Sequence, residues 1–197
     1  MKLRLLLFPV FILACLLLIG CPAYSAHPLY TDQDAVVEPA LEGTWLSPDP
    51  DDKEEMTFKK AGDREYAMAI FHPDTKLSET YKVHLVRLGG QLFMDLIAND
   101  QTIAGANLDG PMGVIATHVI SKVKVSGDDL AWATLEDDAI KKQSAAGGAP
   151  LDYQTVNNDL LVTAPTDALR RYVSAHAEDV FSDFGHLKRK GKTSIQP

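Results

Sequence analysis

Two groups in this chain have residue types and spacing suited to chemistry. The first is His84 with Asp95. Counting outward from Gly89-Gly90 as a two-residue turn sets them opposite one another on paired strands. A carboxylate beside an imidazole orients the ring and raises its pKa, which suits general acid-base work. No nucleophile motif such as Gly-x-Ser-x-Gly accompanies the pair. The favoured reading is therefore a structural contact on an outer sheet face, partly covered by a helix. The second group is Cys21. Cys15 lies inside the apolar run from Leu5 to Gly20, so loss of that run leaves Cys21 as the sole thiol. A disulfide and a multi-cysteine metal site are then both excluded.

Other polar residues carry less. The six histidines, at 27, 72, 84, 118, 176 and 186, share no helix face, and no His-Glu-x-x-His occurs. Asp49, Asp51, Asp52, Glu54 and Glu55 lack the Gly and terminal Glu spacing of a calcium loop and read as a solvated turn. No metal or cofactor is expected. The formal net charge of the 197 residues is -8, and -10 once Lys2 and Arg4 of the leader are set aside. Such a balance repels phosphate backbones, so nucleic acid is not an expected partner. The basic end, Lys188, Arg189, Lys190 and Lys192, reads as a soluble tail or a contact for anionic lipid heads.

The elements that must position these groups are short and strand-like. Leu41 to Leu46 forms a first strand. Glu54 to Lys60 and Arg64 to Ile70 flank Ala61-Gly62-Asp63, which as a three-residue loop sets Phe58 opposite Tyr66 and Met56 opposite Met68. Around Gly89-Gly90, Leu85 faces Met94, Val83 faces Leu96 and Tyr81 faces Ala98 on an apolar side, with Val86 and Phe93 on the other. Thr117 to Val125 and Asp129 to Leu135 form a third hairpin across Ser126-Gly127-Asp128, with Val123 and Trp132 on one face. Asn99 to Gly113 reads as a long loop and Glu136 to Ser144 as a short helix. Leu160 to Ala164 is a further strand. Thr166 then caps a helix whose Leu169, Tyr172, Val173 and His176 fall at i, i+3, i+4 and i+7, with Phe181 and Phe184 beneath it. His186 to Lys190 is a last short strand or tail. The fold expected is mainly β: an antiparallel meander of about eight strands with a C-terminal helix, either closed as a barrel or half-open around that helix.

Leu18-Ile19-Gly20-Cys21 closes an uncharged run behind Lys2 and Arg4, too short for a membrane span of ~20 residues. It resembles the lipobox of bacterial lipoprotein signals. The resemblance implies a signal peptide over residues 1–20, diacylglycerol transfer to the Cys21 thiol, and acylation of the new amino group. An ordinary secretory cut after Ser25 is the competing reading. Residues 21–40, with three prolines and no clear period, are expected to be a flexible tether with a reach of roughly 25 Å. Residues 41–197 make a single β-rich domain. Gly43-Thr44-Trp45 at its opening strand is similar to the Gly-x-Trp motif of lipocalins and related calycins. There the Trp plugs one barrel end under an Arg from a late strand, which makes Arg189 the positional counterpart to Trp45, with Arg87 second. The family's Thr-Asp-Tyr loop is absent, and Leu151-Asp152-Tyr153 falls too late to replace it.

On this reading the chain is a non-enzymatic lipid-anchored protein of the bacterial cell envelope. Tyr66, Met68, Tyr81, Leu85, Met94 and Trp132 are the candidate lining of a pocket for a small apolar ligand. The same six residues would equally fill a closed core. The alternative is then an accessory lipoprotein that serves an envelope protein partner and holds no ligand.

Overall fold

The computed structural model describes residues 22–98, 117–147, 150–156 and 158–191. The leader with Cys21 and the loop expected over Asn99 to Gly113 lie outside the described residues.

Eight strands close a barrel. β3 (Gly43–Leu46), β4 (Glu55–Lys60), β5 (Tyr66–His72), β6 (Leu77–Leu88), β7 (Gln91–Ala98), β8 (His118–Ser126) and β9 (Asp129–Thr134) follow one another as an antiparallel meander. The eighth, β12 (Gly185–Arg189), arrives from the far end of the chain. It pairs with β9 on one side and β3 on the other, and so removes both open edges. The expected last strand or tail is thus the closing element.

Period-two alternation decides which side chains enter. Trp45, Phe58, Tyr66, Met68, Leu85 and Met94 turn inward and are buried, joined by Met56, Val83, Leu92, Leu96, Val123 and Leu130. The hairpin around Gly89-Gly90 has the expected register, Leu85 against Met94 and His84 against Asp95. Both glycines sit at positive φ, 58° and 80°, the conformation a two-residue primed turn requires. The β4–β5 hairpin differs from expectation. Its turn is the five residues 61–65, where Glu65 O accepts both the Ala61 and Gly62 amides, so Phe58 pairs with Met68 and Met56 with Ile70. A slip of two residues preserves the face of every side chain, and the same residues still point inward.

A second core lies outside the barrel. The outward residues Val86, Phe93, Ile120, Ala133 and Leu135 are buried beneath four other pieces of chain. These are the N-terminal segment with Ala23 and Leu29, α1 (Asp137–Ala145) with Ile140, β11 (Asp159–Val162) with Leu160, and α2 (Thr166–His176) with Leu169, Tyr172 and Val173. Phe181 tilts against Phe93 at 5.5 Å, and Phe184 packs at the rim.

This layer overturns the tether expected over residues 21–40. Within it, β1 (Tyr24–Ser25) lies between β8 and β11, and β2 (Ala35–Val36) pairs with β6. Ala23 and Leu29 are fully buried. Arg64 donates to the carbonyls of Asp32 and Gln33, and Arg170 pairs with Asp34. The segment lacks period because it crosses the outer face as a strap, not because it is free of the fold. Thr166 belongs to the same network. Pro165 occupies the N-cap of α2, and the Thr166 hydroxyl donates to Pro28 O at 2.8 Å rather than capping the helix.

Candidate functional site

One barrel end is closed by Trp45. Its ring is fully buried, its Nε1 donates to Leu41 O at 2.9 Å, and the Arg189 guanidinium carbon stands 4.1 Å from the ring centroid. The guanidinium donates to the carbonyls of Glu42 and Ala40, both at 2.5 Å. Gly43 makes this approach possible: its φ is +132°, and a Cβ there would stand 2.6 Å from Arg189 Nη1. Arg87, the other candidate, shares the inward face of Val83 and Leu85 at the Gly89-Gly90 end of the barrel and pairs with Glu38 at 2.8 Å.

The six candidate lining residues all belong to the inner cluster. Tyr66, Leu85 and Met94 have no accessible surface and Met68 has 1%. A side chain that bounds a water-sized void keeps surface toward it, so these four line no such void. They are packed core. The Tyr66 hydroxyl accepts the Glu38 amide at 3.0 Å. Tyr81 and Trp132 are half-buried. Tyr81 donates to Glu79 at 2.6 Å, and burial first, then that carboxylate, pushes its phenol above the usual range. Trp132 meets the backbone of Gly185, where a Cβ would stand 2.9 Å from Nε1.

The chemistry-bearing side chains gather instead on the outer face of β6, β7 and β8. Asp95 is buried, and its two oxygens are committed. One accepts the Leu29 amide at 2.6 Å, and the other meets His118 Nδ1 at 2.6 Å. His84, opposite Asp95 in register, does not bond it. Its ring stacks on Tyr30 at 3.9 Å, and Nε2 lies 3.6 Å from Glu65. Nδ1 of His84 is buried without a partner among the described residues. Burial lowers the His84 pKa from 6.5, against the opposing pull of Glu65, Asp95 and Asp32. Burial likewise raises the Tyr30 phenol, helped by Asp95. On β1, Ser25 Oγ donates to His27 O at 2.7 Å. Each group holds a piece of the strap, so the arrangement works as a latch. His118 and Tyr30 were the members that sequence reasoning missed. His118 reaches Asp95 diagonally across the β7–β8 pairing, whose register no short turn announces.

At the Gly89-Gly90 end of the barrel, a cleft of about 360 Å³ is bounded by Leu92, Val123 and Val125 of the inner cluster and by Glu38, Arg87, Lys122, Lys124 and Glu178. Lys122 is buried yet charged at its tip, where Nζ meets Glu178 at 2.7 Å. The Lys122 ammonium, then Gln91, hold the Glu178 carboxyl below its ordinary value. Neither Asp95 nor any inward residue of the six lines this cleft.

Other polar groups among the described residues are paired with one another. In the acidic run, Asp49 and Asp52 accept the amides of Asp51 and Glu54, and Glu54 meets His72 at 2.7 Å. Among the described residues no three metal-ligating side chains converge, and no helix is long and apolar enough to cross a membrane. At the basic end Lys188 pairs with Asp129 and Lys190 with Glu55, while Arg189 covers Trp45. Cys21 and Lys192 lie outside the described residues.

Compared with known proteins, the chain matches no family model, no curated protein and no solved structure.

Proposed function

We propose that this chain is a lipid-anchored, non-enzymatic protein of the bacterial cell envelope whose barrel is a filled scaffold serving a protein partner. The observation that carries the choice is the absence of accessible surface on Tyr66, Leu85 and Met94. A barrel that takes a small apolar molecule keeps an apolar-lined void of a few hundred Å³. These side chains fill the middle of the barrel, and the cleft at its Gly89-Gly90 end is ringed by Glu38, Arg87, Lys122, Lys124 and Glu178. The calycin-like closure of Trp45 by Arg189 supports a common architecture without requiring a ligand. The Leu18-Ile19-Gly20-Cys21 signal supports the anchor. The surface best suited to a partner is the outer edge of β10 (Tyr153–Val156). This strand pairs only with β11 among the described residues and is exposed throughout. Tyr153-Gln154-Thr155-Val156 carries no charge and no proline, the usual protections of a free edge, so it suits addition of a partner's extended strand.

Native mass spectrometry of the detergent-extracted full chain tests the reading. The expected species carries acyl chains on Cys21 and releases no small molecule on unfolding. A stoichiometric apolar compound released from the barrel would overturn the filled scaffold, and an unmodified Cys21 would overturn the anchor. Thr155→Pro on the β10 edge should abolish in-cell crosslinking from neighbouring Gln154 to a partner while leaving the melting temperature of the barrel unchanged.

A further inference from the structure

The described chain starts one residue after the anchor site and is packed at once. Pro22 forms a β-bridge with Glu136. The Ala23 amide donates to Leu135 O at 2.8 Å, and its side chain has no exposure. Tyr24 is already paired on both sides, with Val119 of β8 and Leu161 of β11. No free length therefore separates Cys21 from the body. Adjacent Cα atoms are about 3.8 Å apart across a trans peptide, and the ring of Pro22 fixes its own φ and restricts the residue before it.

We infer that an acylated Cys21 seats this domain directly on the lipid head groups in a fixed sense, with the Glu136 side turned to the bilayer and the β4–β5 hairpin turned away. The inference rests on the lipid anchor proposed above. Acyl chains in the hydrocarbon hold Cys21 within the head-group layer, which is roughly 5–8 Å deep per leaflet, and Pro22 follows at the next residue. Beside Pro22 lie Glu136, the first turn of α1 and residues 180–183, tied by the Glu136 amide to Val180 O and by Ser182 to Glu136. In a ring of eight strands, β4 and β5 stand diametrically opposite β8 and β9, the strands that carry this junction. An eight-stranded barrel is about 15 Å across its backbone, and the outer layer adds to that separation. The domain can rock about the Cys21–Pro22 link, but the turn at 61–65 remains the distal side.

The proximal side carries Glu136, Asp137, Asp138 and Asp183 with Lys141 among them, so the acyl chains and not surface charge hold it there. Burial, then Asp183, raise the Glu136 carboxyl above its ordinary value. Lys141 compensates Asp137 at 2.8 Å and Asp138 at 3.6 Å. A protein held this way cannot extend toward a distant partner, and its strand-accepting edge works at a fixed distance from the membrane.

Energy transfer tests the seating. Asp138→Cys on α1 and Asp63→Cys in the β4–β5 turn are both exposed positions, and acylation blocks Cys21 from the dye. Each acylated full-length variant is labelled and placed in phosphatidylethanolamine–phosphatidylglycerol vesicles carrying a head-group acceptor. Transfer from position 138 should be several-fold more efficient than from position 63. Insertion of about fifteen Gly/Ser residues between Cys21 and Pro22, a reach of roughly 20 Å, should level the two. Equal transfer from both positions without the insertion, or stronger transfer from 63, overturns the seating while a confirmed acyl mass on Cys21 leaves the anchor standing. A dye-reactive, unacylated Cys21 overturns both.

Discussion

The two sides of the β6–β7 hairpin are built on different terms. Inward, Val83, Leu85, Met94 and Leu96 pack in an apolar cluster, with the buried Ser121 opposite Met94 and in reach of Thr134. Outward, Val86 and Phe93 share their face with His84, Asp95 and, one strand over, His118 and Lys122. The inner core is mostly a matter of shape, with polar ends at Tyr66, which accepts the Glu38 amide, at Trp45, which donates to Leu41 O, and at Ser121. The outer one must also satisfy backbone groups of the strap that crosses it, and a carboxylate that accepts an amide does this where a leucine cannot. Burial is nearly equal on the two sides, so burial alone does not separate filler from latch. The difference is that a buried carboxylate, Asp95, carries the outer contact, accepting the Leu29 amide and meeting His118 Nδ1.

The largest effect should come from the inner side. Trp45→Ala removes a fully buried indole and leaves Arg189 without the ring beneath it. A loss of about 3–5 kcal/mol is expected for such a truncation, read as a large fall in the denaturant midpoint. A loss below about 1 kcal/mol would mean that the barrel end collapses onto the gap and is not held by this plug.

Asp95→Leu probes the outer side. It keeps the volume apolar but orphans the Leu29 amide and the His118 nitrogen. One unsatisfied buried amide costs about 1–3 kcal/mol. The distribution should also differ from that of Trp45→Ala. Hydrogen exchange should quicken in residues 23–36 while β7 stays protected. Uniform loss of protection across barrel and strap would contradict a separable latch.

The same contrast governed what could be seen in the sequence. Interior residues were legible because hairpins are local and alternation has period two: even the wrong β4–β5 loop length left Met56, Phe58, Tyr66 and Met68 on the correct side. Closure by β12 was less so, since β12 meets β3 across some 140 positions and only the Trp45–Arg189 correspondence pointed to it. The strap was misread as a tether. Its burial depends on Asp95, Thr166 and Arg170, each reaching it from 66 to 141 positions away, and nothing in its own pattern encodes those partners. His84 was paired with Asp95 because the register demanded it, while the actual bond went to a diagonal neighbour on the next strand.

A smaller effect separates the two sides by pH. His84 has its folded pKa lowered from 6.5 by burial, so the folded state favours the neutral ring. The stability this gives is fully present above 6.5 and is lost as pH falls through the lower folded value. The ring faces Tyr30 and Asp32 of the strap, Glu65 of the β4–β5 turn, Asp95 and His118. His84→Phe keeps an aromatic partner for Tyr30 and removes the titration. Urea midpoints measured from neutral to mildly acid pH should fall less steeply in this variant than in the parent. Identical slopes would show that the strap, not the barrel wall, relaxes first and frees the ring before it titrates.

The smallest effect sharpens the comparison most. Lys122 is as buried as the inner residues, with 2% exposure, yet its ammonium reaches Glu178, whose side chain is 74% exposed. The methylene stem is buried in the outer core, and the ammonium at its tip stands 6.0 Å from the Phe184 ring centroid and reaches the Glu178 carboxylate. Replacing a buried ion with an apolar side chain of similar length is often neutral, because the lost attraction is offset by the desolvation no longer incurred. Lys122→Met should therefore change stability by less than about 1 kcal/mol. Glu178→Gln should do no more, since the amide oxygen still accepts from Lys122. Asp95→Leu, by contrast, has no such escape: what it strands is a backbone amide that cannot be mutated away. A severe loss in Lys122→Met would place Lys122 with Asp95 as part of the latch, and would mean that its charge, not its stem, holds residues 177–184 against the barrel.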